Sequence, residues 1–229
     1  MSQVQWNVKQ FAVSLTIFIH LFGGRVDGRV PEWFCRKTYN PPIIDGVLDD
    51  RCWREAHGVT GFSLLGGEGP ATQQTYAFAL HDHSYLYVAF VCLESQMDSV
   101  VAKVSKRDGA VWTDDCVEVF MDTNHDHSTY CHIIASVAEI RYDEMGRLQP
   151  WTWDCDWSVS TVRYSDRWTA EIAIPFWCMH METPKPGDIW GFNVNREECR
   201  LGELSGWAPT WSLFHEPQYF GHLIFEPEI

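Results

Sequence analysis

An oxygen-rich segment in the middle of the chain has residue types that bind a hard metal ion. Asp122, Asn124 and Asp126 place three oxygen-bearing side chains at alternate positions. Calcium takes oxygen ligands and calcium loops begin in this way, although the glycine and the distal glutamate of an EF-hand are absent. The alternative interpretation is a hairpin turn rich in Asp and Asn.

Three histidines in and after this segment suggest a second kind of metal site. His125, His127 and His132 offer imidazole nitrogens, which suit zinc and copper. His127 and His132 are separated by four residues in a stretch that runs from a loop into a strand, where that spacing has no fixed geometry. Chelation by these histidines is therefore the less favoured interpretation.

Aromatic residues and a neighbouring carboxylate indicate a binding surface. The 229 residues include 12 Trp, 13 Phe and 8 Tyr. A core of this size does not need 12 indoles, each with an N–H that requires a partner when buried, so we expect some to be exposed for a reason. Glu118 lies between Val117 and Val119 and therefore shares a sheet face with Phe120. The same alternation also describes an ordinary solvated face.

The composition excludes some classes of partner. Asp and Glu total 31 against 17 Lys and Arg, which gives a formal charge of −14. Phosphate backbones and anionic membranes both require a basic face, so we expect neither nucleic acid nor a membrane as a partner. With 45% hydrophobic residues the chain can bury a full core, and no repeat or linker divides residues 31–229. We expect one domain there.

Strand patterns dominate residues 31–229. Turn residues separate eight segments that have apolar alternation or are rich in β-branched and aromatic residues: 73–80, 85–92, 116–121, 132–137, 157–164, 168–174, 189–195 and 220–225. The turn-forming residues 81–84 predict a hairpin between the first two segments. Short helical turns are expected after Asp49 or Asp50 and after Pro175. The series predicts an all-β fold, an antiparallel sandwich or barrel.

The N-terminal residues and the cysteines bear on the compartment. Lys9 precedes an apolar run, 11–22, and two glycines, an order typical of a secretory signal. We expect residues 1–30 to be a signal peptide or a disordered N-terminal segment, and the protein to be secreted or extracytoplasmic. Eight cysteines allow up to four disulfides, but none stands at C-x-x-C spacing, and buried free thiols are the alternative.

Six segments, in order, resemble those of a family 9 carbohydrate-binding module. They are 43–56 (I-D-G-x-L-D-x-x-x-W-x-x-A), 85–89 (L-Y-V-A), 112–122 (W-x-x-D-x-V-E-I-F-x-D), 168–175 (W-x-x-E-I-A-I-P), 186–193 (P-G-D-x-W-G-F-N) and the closing strand 220–225. The resemblance covers roughly residues 40–226. It implies an immunoglobulin-like antiparallel β-sandwich with few short helices, sugar binding and a structural calcium, for which Asp122, Asn124 and Asp126 are the ligand candidates.

The resemblance also implies two aromatic platforms. Family members hold a sugar ring between two Trp side chains, and Trp112, in a loop before a strand, matches the first of them. The second position falls at about Phe214, where this sequence departs from the family. Phe214 can still stack on a sugar, and Trp211 or Trp207 is the alternative platform.

Polar candidates follow from the same resemblance. Glu118 matches a glutamate whose side chain faces the sugar, and His132 stands where the family has a glutamine. Arg196 matches an N-x-x-R pattern of the relatives. It is expected either to bind the ligand or to pair with Glu197, Glu198 or another carboxylate of the sheet.

Three functions are weighed on these residues. The expected one is non-catalytic binding of a mono- or oligosaccharide, associated with polysaccharide breakdown, by a monomer. A glycoside hydrolase would need two carboxylates about 5–10 Å apart, and the candidates are Glu118, Asp115, Glu139 and Glu171. A haem-binding electron carrier of the related sandwich type would use Met and His ligands, but no Met–His pair fits an axial pattern.

Overall fold

Strands form most of the regular structure of the computed structural model, which describes residues 29–146 and 153–227. Within these residues one short helix, α1 (Arg51–Glu55), accompanies thirteen strands: β1 (Glu32–Lys37), β2 (His57–Val59), β3 (Ser63–Leu64), β4 (Thr75–His81), β5 (Tyr85–Leu93), β6 (Cys116–Asp122), β7 (Tyr130–Ser136), β8 (Arg141–Gly146), β9 (Ser158–Arg163), β10 (Arg167–Pro175), β11 (Ile189–Glu198), β12 (Glu203–Gly206) and β13 (Gly221–Phe225). The predicted all-β class is confirmed.

Two sheets share one strand. The first sheet has the order β8-β7-β6-β11-β13-β1, and the second has the order β1-β4-β5-β10-β9, with β2 beside β4. β1 pairs with β13 through residues 32–35 and with β4 through Arg36 and Lys37, and both pairings are parallel. The neighbouring pairs β6–β7, β7–β8, β6–β11 and β5–β10 are antiparallel. The sandwich is thus antiparallel around a parallel strand that joins its sheets, a feature not predicted from the sequence.

Apolar side chains from both sheets pack in one core. The residues predicted to point inward do so: Trp168, Ala170, Ile172 and Ile174 from β10, and Val117, Val119 and Met121 from β6. Since side chains alternate along a strand, Glu118 and Phe120 lie on the other face of the first sheet. The core therefore fixes which face of β6 is left for a site.

All eight predicted strands are present, and their bounds differ from the prediction by up to three residues. Both helical turns are present as well, as α1 and as a 3-10 turn at Phe176–Met179. Five strands were not predicted. Three of them, β2, β3 and β12, have two to four residues and are too short to show a pattern. The others are β1 and β8.

Glu171 of β10 fixes the segment that precedes α1. Its Oε1 accepts a hydrogen bond from the Trp53 indole at 2.6 Å, and its Oε2 accepts the backbone N–H of Gly46 at 2.8 Å and of Asp45 at 3.1 Å. Gly46 has φ +82°, and a Cβ there would lie 2.8 Å from the carbonyl carbon of Thr161, so the position requires glycine. These contacts join the I-D-G and W-x-x-E segments.

One disulfide, between Cys155 and Cys178, joins the segment before β9 to the turn after β10. Five other cysteines are buried thiols and act as small core residues: Cys35, Cys52, Cys92, Cys116 and Cys131. In the described part of the chain no helix has the length and apolar character needed to cross a membrane. The signal-peptide prediction falls almost wholly on residues 1–28, which lie outside the described residues.

Candidate functional site

A row of polar and aromatic side chains crosses the outer face of the first sheet. Phe120 of β6 pairs with His132 of β7, and His132 pairs with Glu144 of β8. Glu118 and His132 are each 2% exposed, so the face beside Phe120 is not the ordinary solvated face that the alternation also allowed. Buried polar groups need partners.

His132 is held between two carboxylates. Its Nε2 lies 2.8 Å from Glu118 Oε2, and its Nδ1 lies 3.1 Å from Glu144 Oε1. The imidazole stacks on Phe120, with ring centroids 3.9 Å apart and 13° between the planes. Burial lowers the pKa of His132, but the hydrogen bonds and charges of the two carboxylates outweigh burial and raise the pKa overall. The two carboxylates therefore stabilise a proton on this imidazole against the effect of burial.

Glu197 of β11 extends this network. Burial, together with the charge of Glu118 and a hydrogen bond to it, raises the pKa of Glu197 to about 9. The Glu118–Glu197 pair therefore retains a proton to higher pH than two isolated carboxyl groups would. The network offers donors and acceptors of different strength within one small area, which suits a ligand rich in hydroxyl groups.

Trp112 lies beside this network on a 3-10 turn, Val111–Thr113, whose Val111 is buried. The indole is 44% exposed, as predicted, and meets the Tyr142 ring edge to face at 5.4 Å. The Tyr142 hydroxyl donates to Glu144 Oε2 at 2.8 Å, so it links the indole to the polar network. The turn is anchored by Asp114, whose carboxylate accepts the backbone N–H groups of residues 103 and 104.

The residues considered as a second aromatic platform differ in exposure. Phe214 is only 7% exposed and packs with Phe120, Tyr130 and Phe220, so it forms the floor of the face. Trp207 is also buried, against Trp33. Trp211 is 72% exposed, and its backbone N–H is held by Glu216 at 2.5 Å. Of the three residues considered for this position, only Trp211 presents a free ring.

Glu144 and His215 belong to the site and were not predicted. His215 follows Phe214, lies edge to face with His132 at 5.0 Å, and has its Nδ1 at 2.9 Å from the Tyr130 hydroxyl. Burial and the neighbouring His132 lower the pKa of His215. Residues 141–146 have no apolar alternation, so no strand pattern marked β8 or this part of the site.

Arg196 does not join this face. β11 alternates so that Arg196 points with Val194 towards the second sheet, where its side chain is 1% exposed. Its Nη1 donates to the Leu93 carbonyl at 2.8 Å, and its Nη2 lies 3.6 Å from Glu94. Arg196 therefore pairs with a carboxylate, which was the alternative prediction. Its partner is Glu94, however, and not Glu197 or Glu198. The ligand-binding role does not fit this position.

The loop after β6 is a hairpin turn closed by its own side chains. Asp122 accepts the backbone N–H groups of Asp126 and His127 at 3.1 and 2.8 Å. Asp126 accepts those of Ser128 and Thr129, both at 2.7 Å, and Asn124 donates to Asp126 at 3.0 Å. Each oxygen of Asp122 accepts one hydrogen bond and keeps a second lone pair, whereas each oxygen of Asp126 already accepts two, so a calcium ion here would displace donors of the turn. Calcium at Asp122, Asn124 and Asp126 stays a prediction.

Three of the four carboxylates weighed for hydrolysis hold backbone segments in place. Asp115 accepts the Val101 backbone N–H at 2.7 Å, Glu139 accepts that of Thr161 at 2.8 Å, and Glu171 holds the segment before α1. Glu118 is hydrogen-bonded to Glu197 and to His132 in the polar network. The methionines weighed as haem ligands have a packing role. Five of them lie in or against the core: Met97, Met121, Met145, Met179 and Met181.

The fold and the face together define a β-sandwich domain with an aromatic and acidic binding surface. Residues 44–227 match the model of the family described as carbohydrate family 9 binding domain-like. The chain belongs to this family.

Relatives and solved structures agree with this assignment. The chain is 28% identical over 192 residues to endo-1,4-beta-xylanase A of Thermoanaerobacterium saccharolyticum and 27% identical over 199 residues to exoglucanase XynX of Acetivibrio thermocellus. These matches span 81% and 85% of the chain but only 15% and 17% of those proteins. The chain therefore corresponds to a small part of each enzyme.

A family 9 carbohydrate-binding module from Caldicellulosiruptor kristjanssonii, in complex with cellotriose, has a TM-score of 0.66 at 16% identity over 87% of this chain and 95% of that one. A crystal structure of a Bacteroides uniformis protein has a TM-score of 0.72 at 17% identity, over 86% of this chain and 100% of that one. These two likenesses establish the fold.

Proposed function

We propose that this domain binds carbohydrate without cleaving it, with a sugar ring stacked on Trp112. The observation that carries the proposal is a half-exposed indole linked through Tyr142 to a buried acid–histidine network. The apolar C–H face of a pyranose stacks on an indole, and its hydroxyls need both donors and acceptors. Membership of the family, whose description names carbohydrate binding, supports the same conclusion.

The ligand is proposed to lie on the outer face of the first sheet. Glu118 and Glu144 are proposed to accept hydroxyl protons, because a carboxylate oxygen accepts up to two hydrogen bonds. Trp211 provides the second platform, because its side chain is exposed and it precedes His215 by four positions in the sequence. The solved relatives with cellotriose and with glucose support glucose and its β-1,4-linked oligomers as first probes.

The compartment is part of the same proposal. The relatives are named an endo-1,4-beta-xylanase and an exoglucanase, which supports a role in polysaccharide breakdown. The Cys155–Cys178 disulfide supports an oxidising environment, as expected for a secreted protein.

One experiment separates binding from hydrolysis. Tryptophan fluorescence is followed while glucose, cellotriose and xylotriose are added, and the same samples are assayed for released reducing ends. Saturable quenching or enhancement without product supports the proposal. Product that accumulates in proportion to protein concentration would assign the face to a hydrolase. No saturable change with any saccharide would remove the proposal.

A further inference from the structure

Three side chains on this face have the arrangement of a metal site. His132, Glu144 and His215 each offer one ligand atom, and these atoms all lie within 4.8 Å of one another. Glu144 Oε1 is 3.1 Å from His132 Nδ1 and 3.7 Å from His215 Nδ1. Two donors at ~2.1 Å from a tetrahedral zinc ion lie about 3.4 Å apart, which falls between these two distances. Small movements of these three side chains would therefore bring their ligand atoms into contact with one zinc ion.

The surroundings orient the same three side chains. The other nitrogen of His132 is held by the Glu118 carboxylate at 2.8 Å, and the other oxygen of Glu144 is held by the Tyr142 hydroxyl at 2.8 Å. A carboxylate on the far nitrogen of a ligating histidine fixes the ring and makes it a better donor, and this arrangement recurs around protein zinc. An ion bound by His132 Nδ1 and Glu144 Oε1 would replace the hydrogen bond that now joins these two atoms, with release of its proton.

An ion can reach the three ligands from solvent. The His215 side chain is 42% exposed, whereas His132 is 2% exposed. His215 lies in the segment between β12 and β13, outside any strand, and its Nδ1 is now 2.9 Å from the Tyr130 hydroxyl. Rotation of this one exposed side chain would exchange that hydrogen bond for a metal bond.

We propose that His132, Glu144 and His215 bind a divalent transition-metal ion of the zinc class. Two imidazole nitrogens and one carboxylate oxygen suit zinc and its neighbours better than calcium, which takes oxygen ligands. Three protein ligands leave a fourth position for water or for a hydroxyl of a bound sugar. This site is separate from the oxygen-rich turn at 122–126, and its metal affinity is measured without sugar, so it does not depend on the carbohydrate proposal.

The test uses the metal alone. Metal-stripped protein is titrated with Zn²⁺ by calorimetry and with Co²⁺ by visible absorption, because tetrahedral Co²⁺ with nitrogen ligands gives strong bands. The expected result is one ion per chain. His215→Gln is expected to weaken binding at least tenfold, and Glu118→Gln by ~10–100-fold through loss of the outer carboxylate. Circular dichroism establishes that each variant is folded, and the exposed position of His215 makes its variant the safer of the two.

A matched control is the double variant His125→Gln and His127→Gln, which removes the two histidines of the hairpin turn. Unchanged Zn²⁺ affinity in this variant supports the proposed site. Binding that survives His215→Gln but is lost in the hairpin variant would assign the metal to the turn and overturn the proposal. Absence of stoichiometric binding by the parent protein would overturn it as well.

Discussion

The indole nitrogen of Trp53 donates a 2.6 Å hydrogen bond to Glu171, a residue 118 positions later in the chain. The same carboxylate accepts two backbone N–H groups from the segment before α1. Burial raises the pKa of Glu171 to about 7, although these three donors oppose the shift. One side chain thus joins two distant motifs and carries a titration near neutral pH.

This titration predicts a pH dependence of stability. Between about pH 4.5 and 7 the folded protein holds a proton on Glu171 that the unfolded chain releases, so the free energy of unfolding falls as pH rises through this window. A shift of this size corresponds to about 3 kcal/mol. Urea unfolding of the parent and of Glu171→Gln across pH 4.5–7.5 measures it. The Glu171→Gln variant is expected to be less stable than the parent, and its free energy of unfolding should depend less on pH. If the free energies of unfolding of both proteins change equally with pH, Glu171 is not the titrating group.

Phe214 and Trp211 are expected to respond differently to truncation. Phe214→Ala should lower the free energy of unfolding by about 3–5 kcal/mol, because the ring is buried against Phe120, Tyr130 and Phe220. Trp211→Ala should leave stability nearly unchanged and weaken sugar binding, because its ring is exposed. Urea unfolding and sugar titration of both variants check this. A stable Phe214→Ala protein with lost affinity would reverse the two roles.

The calcium prediction at the 122–126 turn is tested by titrating calcium into metal-stripped protein. A bound ion is expected to raise Tm, with a stabilisation of about 2.7 kcal/mol at one hundred times Kd. Asp126→Asn should reduce the calcium-dependent shift. The variant also removes acceptors of the turn, so the comparison is made between its own Tm values with and without calcium. If the Tm of the parent does not change with calcium, the oxygens of the turn accept hydrogen bonds only, and the calcium prediction is wrong.

The fold was predictable from the sequence in the strands where alternating side chains show which residues are buried. Trp168, Ala170, Ile172 and Ile174 point inward as their spacing indicates. The parallel pairings of β1 could not be predicted, because they depend on contacts with β4 and β13, of which β13 lies almost two hundred residues later. β8 has no apolar alternation, since Tyr142 and Glu144 serve a buried polar face.

The site was predictable residue by residue only where a motif marked it. Trp112 and Glu118 lie in one matched segment, whereas Glu144 and His215 come from separate segments and meet only in the folded chain. Arg196 shows the limit of motif transfer. The alternation of β11 places it with the core residues Phe192 and Val194, and its partner Glu94 directly follows β5, a strand of the second sheet.

The most direct test of the carbohydrate-binding face compares two exposed tryptophans. Trp112→Ala removes the proposed platform, while Trp177→Ala removes an indole that is 65% exposed on the turn after β10, a strand of the second sheet. The measurement is a calorimetric titration of both variants and the parent with the saccharide that the parent binds best. Trp112→Ala is expected to lose roughly thirtyfold or more in affinity, about 2 kcal/mol, and Trp177→Ala to bind as the parent does. A folded Trp112→Ala protein with parental affinity would contradict the account.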